Sequence, residues 1–165
     1  LGLEKVKISS EDSITVARVL VDQVSPFLKS VLTNKGTKHG VIKGMTVFSK
    51  NYLIGTVIET NYLSSRVLLI TDLNSKIPTV IQGTDVNVIL AGNGKKNNFV
   101  LEYLPDDFEL EPNKIIFTSG KDGFLKTGMP VAETYINKKN EIKIRSLTDP
   151  QQASIVHITK GQIKN

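Results

Sequence analysis

No stretch of this 165-residue chain sustains the 3.6-residue apolar period of a helix. Short runs rich in Val, Ile, Thr, Phe and Tyr take its place, at 14–21, 27–33, 54–60, 66–72, 76–81, 85–90, 99–104, 130–136, 141–147 and 153–158. Gly, Pro, Asn and Asp punctuate them, and β-branched runs between turn signals read as strands. About a dozen short strands without a helix predict an all-β chain, and the strict alternation of Glu141-Ile142-Lys143-Ile144-Arg145 requires one wet face. Gly55 inside its apolar run marks a bulge or sharp bend of the kind a small closed barrel needs.

One turn is used twice. Thr33-Asn34-Lys35-Gly36 leads into Gly40-Val41-Ile42-Lys43-Gly44-Met45-Thr46-Val47, and Thr118-Ser119-Gly120 leads into Gly123-Phe124-Leu125-Lys126-Thr127-Gly128-Met129-Pro130-Val131. Both follow an apolar β-type run. Gly36, Gly40, Gly44, Gly120, Gly123 and Gly128 are read as structural turns at positive φ, which glycine alone adopts without steric cost. The two copies stand too far apart for a solenoid, whose repeats typically span roughly 20 to 50 residues, and suit two related small domains in tandem. The most loop-like segment, 91–98, places the boundary. The expected layout is a polar linker at 1–13, a first barrel at 14–92 and a second at 93–165. Asp72 and Asn74 are read as turn residues that bind nearby backbone amides.

Composition narrows the function. The chain lacks cysteine, which removes disulfides, thiolate zinc sites and cysteine nucleophiles. It holds no apolar run near the roughly 20 residues that a membrane helix needs. A net charge of +5 invites a polyanion partner, but the lysines stand singly or in pairs, as at Lys95-Lys96 and Lys138-Lys139. Without a basic stripe interleaved with aromatics, nucleic acid is not the expected ligand.

Tandem barrels also serve one class of serine proteases, which makes Ser119 with His39 or His157 and Asp72 the set to examine. The repeat speaks against it: Asn34 fills the place of Ser119, and Asp122 that of His39. Gly92-x-Gly94 lacks the third glycine and following helix of a dinucleotide site. The acids at 106–111 diverge along a loop with no histidine beside them, so a solvated connection is expected and not a metal site. No reaction centre or cofactor is expected. Phe27, Tyr62, Tyr103, Phe108 and Phe124 are the candidate partner contacts, with core packing the commoner fate of such residues.

The order and spacing of several segments resemble the rod shape-determining MreC family. They are Val16-Ala17-Arg18-Val19, Pro26-Phe27, Asn34-Lys35-Gly36, the two Gly-Met elements, Ile54-Gly55-Thr56-Val57-Ile58-Glu59, and above all the run from Ser65 to Val80. The resemblance covers roughly 14–158. It implies a non-enzymatic periplasmic scaffold of the cell-elongation machinery, with two β-barrels following a coiled coil and a transmembrane helix. The linker at 1–13 would then be the end of the coiled coil, and membrane attachment would run through a segment absent from this chain. The implied partners are a second copy of the protein, as a homodimer or higher assembly, a penicillin-binding transpeptidase, MreD, and the actin-like shape protein. Against that family the strand at 14–24 is left open to pair within either barrel. The rival function is a β-barrel module that binds an acidic polymer.

Overall fold

Twelve antiparallel strands, arranged as two six-stranded sheets, carry the chain in a computed structural model that describes residues 14–20, 28–95, 98–121, 123 and 125–160. In chain order they are β1 (Ile14–Leu20), β2 (Ser30–Thr33), β3 (Thr46–Ser49), β4 (Tyr52–Thr60), β5 (Ser65–Leu69) and β6 (Lys76–Ile81). Then follow β7 (Asn87–Gly92), β8 (Phe99–Glu102), β9 (Ile115–Thr118), β10 (Pro130–Ile136), β11 (Ile142–Ser146) and β12 (Ile155–Thr159). Short 3₁₀ turns at Thr37–His39 and Pro150–Gln152 are the only helical pieces among the described residues. The expected all-β fold of two barrels is what forms.

The first sheet closes on itself in the order β1-β12-β3-β4-β5-β2. Closure removes the strand edges that an open sheet leaves unpaired. The interior follows from the period-2 alternation: Ser65, Val67 and Leu69 of β5 are buried while Arg66 and Leu68 are less so. Val41, Val47, Ile54, Val57, Val156 and Ile158 fill the remaining interior. The Thr33 and Ser65 hydroxyls, fully buried, meet each other at 2.7 Å, so burial leaves neither polar group unsatisfied. The register of β3 against β4 slips beside Gly55, where an added Cβ would run into the Leu68 carbonyl.

The second sheet runs β11-β10-β9-β6-β7-β8 and curls into a barrel that is nearly closed. Its core holds Ile77, Leu90, Ile116, Val131 and Ile144, together with Phe48, Leu53 and Ile70. Those last three come from the end of the first barrel and the connector, so the two sheets share one core at their junction.

The pairing corrects two expectations. β6 and β7, expected in the first barrel because they precede the loop at 91–98, pair instead with β8 and β9, so the division falls between Leu69 and Lys76. β12, placed with the second domain, returns to close the first barrel between β1 and β3. β1 pairs with β12 and β2, which answers the question left open for that strand over Ile14–Leu20, while residues 21–24 lie outside the described residues. The barrels are therefore interleaved along the chain and not strictly in tandem.

Candidate interaction surfaces

The twin glycine-methionine elements show what the repeated turn does. Gly44 N–H donates to Val57 O and Val57 N–H to Met45 O, at 2.8 and 3.0 Å. Gly128 N–H donates to Thr118 O and Thr118 N–H to Met129 O, each at 2.8 Å. Each Gly-Met pair thus starts a strand by locking onto a neighbour. The neighbour differs, because Val57 lies on the following strand β4 and Thr118 on the preceding strand β9. Local turn chemistry is shared where strand topology is not. Gly40, Gly44, Gly120, Gly123 and Gly128 have φ between 70° and 96°, the region where a Cβ is strained. Gly36 differs: its φ is −139°, and a Cβ there would strike the backbone of Asn61 and Ser64. Close approach is what requires that glycine.

The run from Ser65 to Val80 contains the junction. Asp72 is 2% exposed; its Oδ1 accepts the Lys29 N–H and its Oδ2 the Asn74 N–H, each at 2.7 Å. One carboxylate thereby ties the lead into β2 to the turn that leaves the first barrel. Gly92 and Gly94 donate to Ser75 O and Thr71 O at 3.1 and 3.0 Å, which fastens β7 and its loop to the same turn. A side chain at 92 would collide with the Thr71–Asp72 backbone.

The serine, histidines and aspartate weighed as a reactive set occupy separate places. His39 Nδ1 accepts the Gly36 N–H at 3.1 Å at the far end of the first barrel. His157 stacks on Phe48 with ring centroids 5.2 Å apart, and Asp72 is spent on backbone amides. Ser119 belongs to the second sheet, its N–H donating to Pro78 O and its Oγ accepting the Lys121 N–H. No group of three or more His, Asp and Glu among the described residues is disposed to hold a metal ion.

Of the aromatic candidates, Tyr62 is 65% and Tyr103 81% exposed, and Phe108 is half-buried beside a cavity. Phe27 and Phe124 lie outside the described residues. Core duty falls instead on Phe48 and Phe99. Tyr62 sits with Leu63 at the tip of the β4–β5 hairpin, and Tyr103 follows β8 at φ 67°.

Charge is divided between the sheets in a way that the sequence conceals. Among the described residues of the first barrel, Arg18, Lys35, Lys38, Lys43 and Arg66 are joined by three more lysines against the single carboxylate of Glu59. In the second sheet and its loops acids and bases balance, and the ion pairs between described residues lie there, as in Lys76–Glu102 at 2.6 Å and Arg145–Glu133 at 2.9 Å. Its exposed acids gather at Asp106, Asp107, Glu109 and Glu111.

Comparison with known proteins agrees with this architecture. The family described as "Rod shape-determining protein MreC, barrel core" matches residues 19–160. The cell shape-determining protein MreC of Escherichia coli K12 is 33% identical over 125 residues, 76% of this chain. The chain spans about a third of that relative's length, 34%. Among solved structures, MreC from Pseudomonas aeruginosa superposes with a TM-score of 0.80 at 24% identity, covering 90% of this chain and 99% of that one. The major periplasmic domain of the cell shape-determining filament MreC superposes at 0.71, with 17% identity over 90% of this chain and 96% of that one. A complex of penicillin-binding protein PBP2 with MreC from Helicobacter pylori gives 0.63, with 14% identity over 92% and 99%. With the family match spanning nearly all of the two interleaved barrels, this chain belongs to the MreC family of cell shape-determining proteins.

Proposed function

We propose that this chain is the periplasmic contact module of a non-enzymatic scaffold, which maintains rod shape by holding cell-wall synthesis enzymes, and further copies of itself, in fixed relation. The observation that carries the proposal is the rigid joint: two barrels share a core and a pinned connector, while exposed apolar side chains stand away from it at Tyr62, Leu63 and Tyr103. Such a body presents surfaces at a set distance and orientation. Partner docking then acts through buried area and not through covalent chemistry. The PBP2 complex of the Helicobacter pylori relative supports a penicillin-binding transpeptidase as one partner. MreD and the actin-like shape protein belong to the same proposal, reached through parts of the protein beyond this chain.

Binding of this chain to the periplasmic part of the transpeptidase from the same bacterium, measured by interferometry, is the test. Saturable binding that weakens less than about threefold between about 0.1 and 0.5 M salt supports apolar docking. No binding at high micromolar concentration overturns the partner assignment. The charge concentrated on the first barrel favours a second reading, an acidic-polymer binder. That reading demands an affinity for a polyanion that falls steeply, by powers of ten, over the same salt range.

A further inference from the structure

Tyr62 and Leu63 form the tip of the β4–β5 hairpin and are 65% and 56% exposed; Ile42, on the loop bonded to that hairpin, is 49% exposed. Three large apolar side chains at one end of a barrel are a patch, where a single one would be ordinary. Cations surround them. Lys38 and Lys43 are exposed on the same loop as Ile42, Lys35 is half-buried there, and Lys38 Nζ stands 6.0 Å from the Tyr62 ring centroid. Glu59 is the only carboxylate of this barrel among the described residues, and Arg66 is its cross-strand partner. An aromatic and aliphatic apex thus rises from a collar of positive charge.

Backbone bonds hold this apex in shape. Thr37 and Lys38 N–H donate to Asn61 O and Tyr62 O at 2.9 and 3.0 Å, Asn61 N–H donates to Ser64 O at 2.8 Å, and Gly36 lets the two loops approach more closely than a Cβ would permit. A preorganised apex loses little freedom on docking. Its shape and chemistry select the partner. A fluid bilayer surface conforms to a convex tip, whereas a protein pocket has to match its contour. Tyrosine is favoured at the headgroup level, and lysine stems lie along apolar surface while their ammonium groups stay among phosphates. A polar acidic chain would use the collar and leave the apex in water. The rest of the molecule sets the orientation: the exposed acids Asp106, Asp107, Glu109 and Glu111 lie in the second sheet's loops, beyond the junction, so an anionic surface attracts the tip and repels that end.

We propose that the tip of the first barrel docks on the surface of an anionic phospholipid bilayer, with Tyr62, Leu63 and Ile42 entering the headgroup layer and Lys38 and Lys43 lying against the lipid phosphates. This rests on the periplasmic placement in the proposed function and gives one of its exposed apolar surfaces a lipid partner. The contact is interfacial and reversible: charge brings the tip to the surface, and burial of three side chains retains it there.

The test is co-sedimentation of this chain with vesicles of phosphatidylcholine, either pure or carrying about one third phosphatidylglycerol. Binding is expected to the anionic vesicles alone and to weaken at least about tenfold between about 0.1 and 0.5 M salt. A lysine near an anionic surface is worth about fivefold in partitioning, so Lys38→Glu/Lys43→Glu is expected to weaken binding by about twenty-five-fold or more. Leu63→Ser is expected to cost about tenfold and to leave the salt dependence unchanged. Val16→Ser, an equally exposed apolar position on the side wall, is the control and should bind as wild type does. An unchanged circular dichroism spectrum and melting temperature establish that each variant is folded. The chain has no tryptophan, so Tyr62→Trp gives one indole at the apex; its emission is expected to shift to the blue and to be quenched by brominated lipid when vesicles bind. Absence of binding at millimolar anionic lipid, tip variants that bind like wild type, a side-wall variant that weakens binding as much as Leu63→Ser does, or an indole that neither shifts nor is quenched overturns the proposal. So does equal affinity for polyglutamate, which would make an acidic polymer the occupant. Transpeptidase binding is measured in solution without lipid, so a failure here is distinguishable from a failure of the scaffold reading.

Discussion

Replacing Asp72 with alanine removes the group that ties the first barrel to the connector. The carboxylate is 2% exposed and accepts two backbone amides, from Lys29 and Asn74, each at 2.7 Å. A hydrogen bond to a charged group is worth about 1.5 to 3 kcal/mol, which sets about 3 to 6 kcal/mol as the bound for the pair. Asn74 is exposed, so water replaces the carboxylate at its amide and that half is largely recovered. Lys29 is half-buried where Asn74 is exposed, so its amide pays more for the loss. The expected net loss is about 3 kcal/mol for Asp72→Ala and about 2 kcal/mol for Asp72→Asn, which keeps one acceptor oxygen and turns an amino group towards the other amide. The chain has no tryptophan, so unfolding in urea is followed by far-ultraviolet circular dichroism. With a slope of about 2 kcal/mol per molar urea, 3 kcal/mol lowers the midpoint by about 1.5 M. A midpoint that moves by less than about 0.3 M in the alanine variant refutes the reasoning and leaves the junction held by its apolar core alone.

Gly36→Ala drives a methyl group into the backbone of Asn61 and Ser64 and should cost about 3 kcal/mol or more, whereas Gly40→Ala meets only the strain of φ 81° and should cost about 1 kcal/mol; parallel urea titrations rank them. His157 stacks on Phe48 while its buried Nδ1 has no hydrogen-bond partner among the described residues, so His157→Phe should be neutral or stabilising by up to about 2 kcal/mol, read as a rise in melting temperature. Truncation after residue 152 deletes β12 and opens the first barrel between β1 and β3; loss of dispersed amide signals from β1 to β5 in a heteronuclear NMR spectrum is the expected outcome, and retention of those signals would contradict the closure.

Local chemistry was legible from the residues because it is short-ranged. Alternation in β5 and β6, the turn role of Asp72, and the demand for glycine at 44 and 128 all depend on neighbours a few residues away. The division between barrels was not legible. Gly and Asn at 91–98 look like a boundary, yet the chain there only turns from β7 into β8. The true passage at Ile70–Ser75 carries buried Ile70, Thr71 and Asp72, so it lacks a linker's composition. The return of β12 to the first barrel is a pairing across most of the chain, and sequence neighbours are the usual partners of a strand. The basic first barrel stayed hidden for the same reason. Its lysines are scattered singly in sequence, and they gather only once β1 to β5 and β12 are known to share one wall.

That interleaving bears on what the molecule can transmit. A pair of barrels joined by one linker would bend, and a partner bound at one end would say little about the orientation of a partner at the other. Here the chain crosses the junction at Ile70–Ser75 and again on its way from β11 to β12. Between the crossings, Lys126 N–H donates to Thr46 Oγ1 at 3.3 Å, and Phe48 and Leu53 of the first barrel are packed into the second core. Bending would have to expose those apolar side chains and pull the Lys29 amide from Asp72 together, which couples the barrels into a single mechanical body. Surfaces presented by the two barrels are then held in fixed relation to one another.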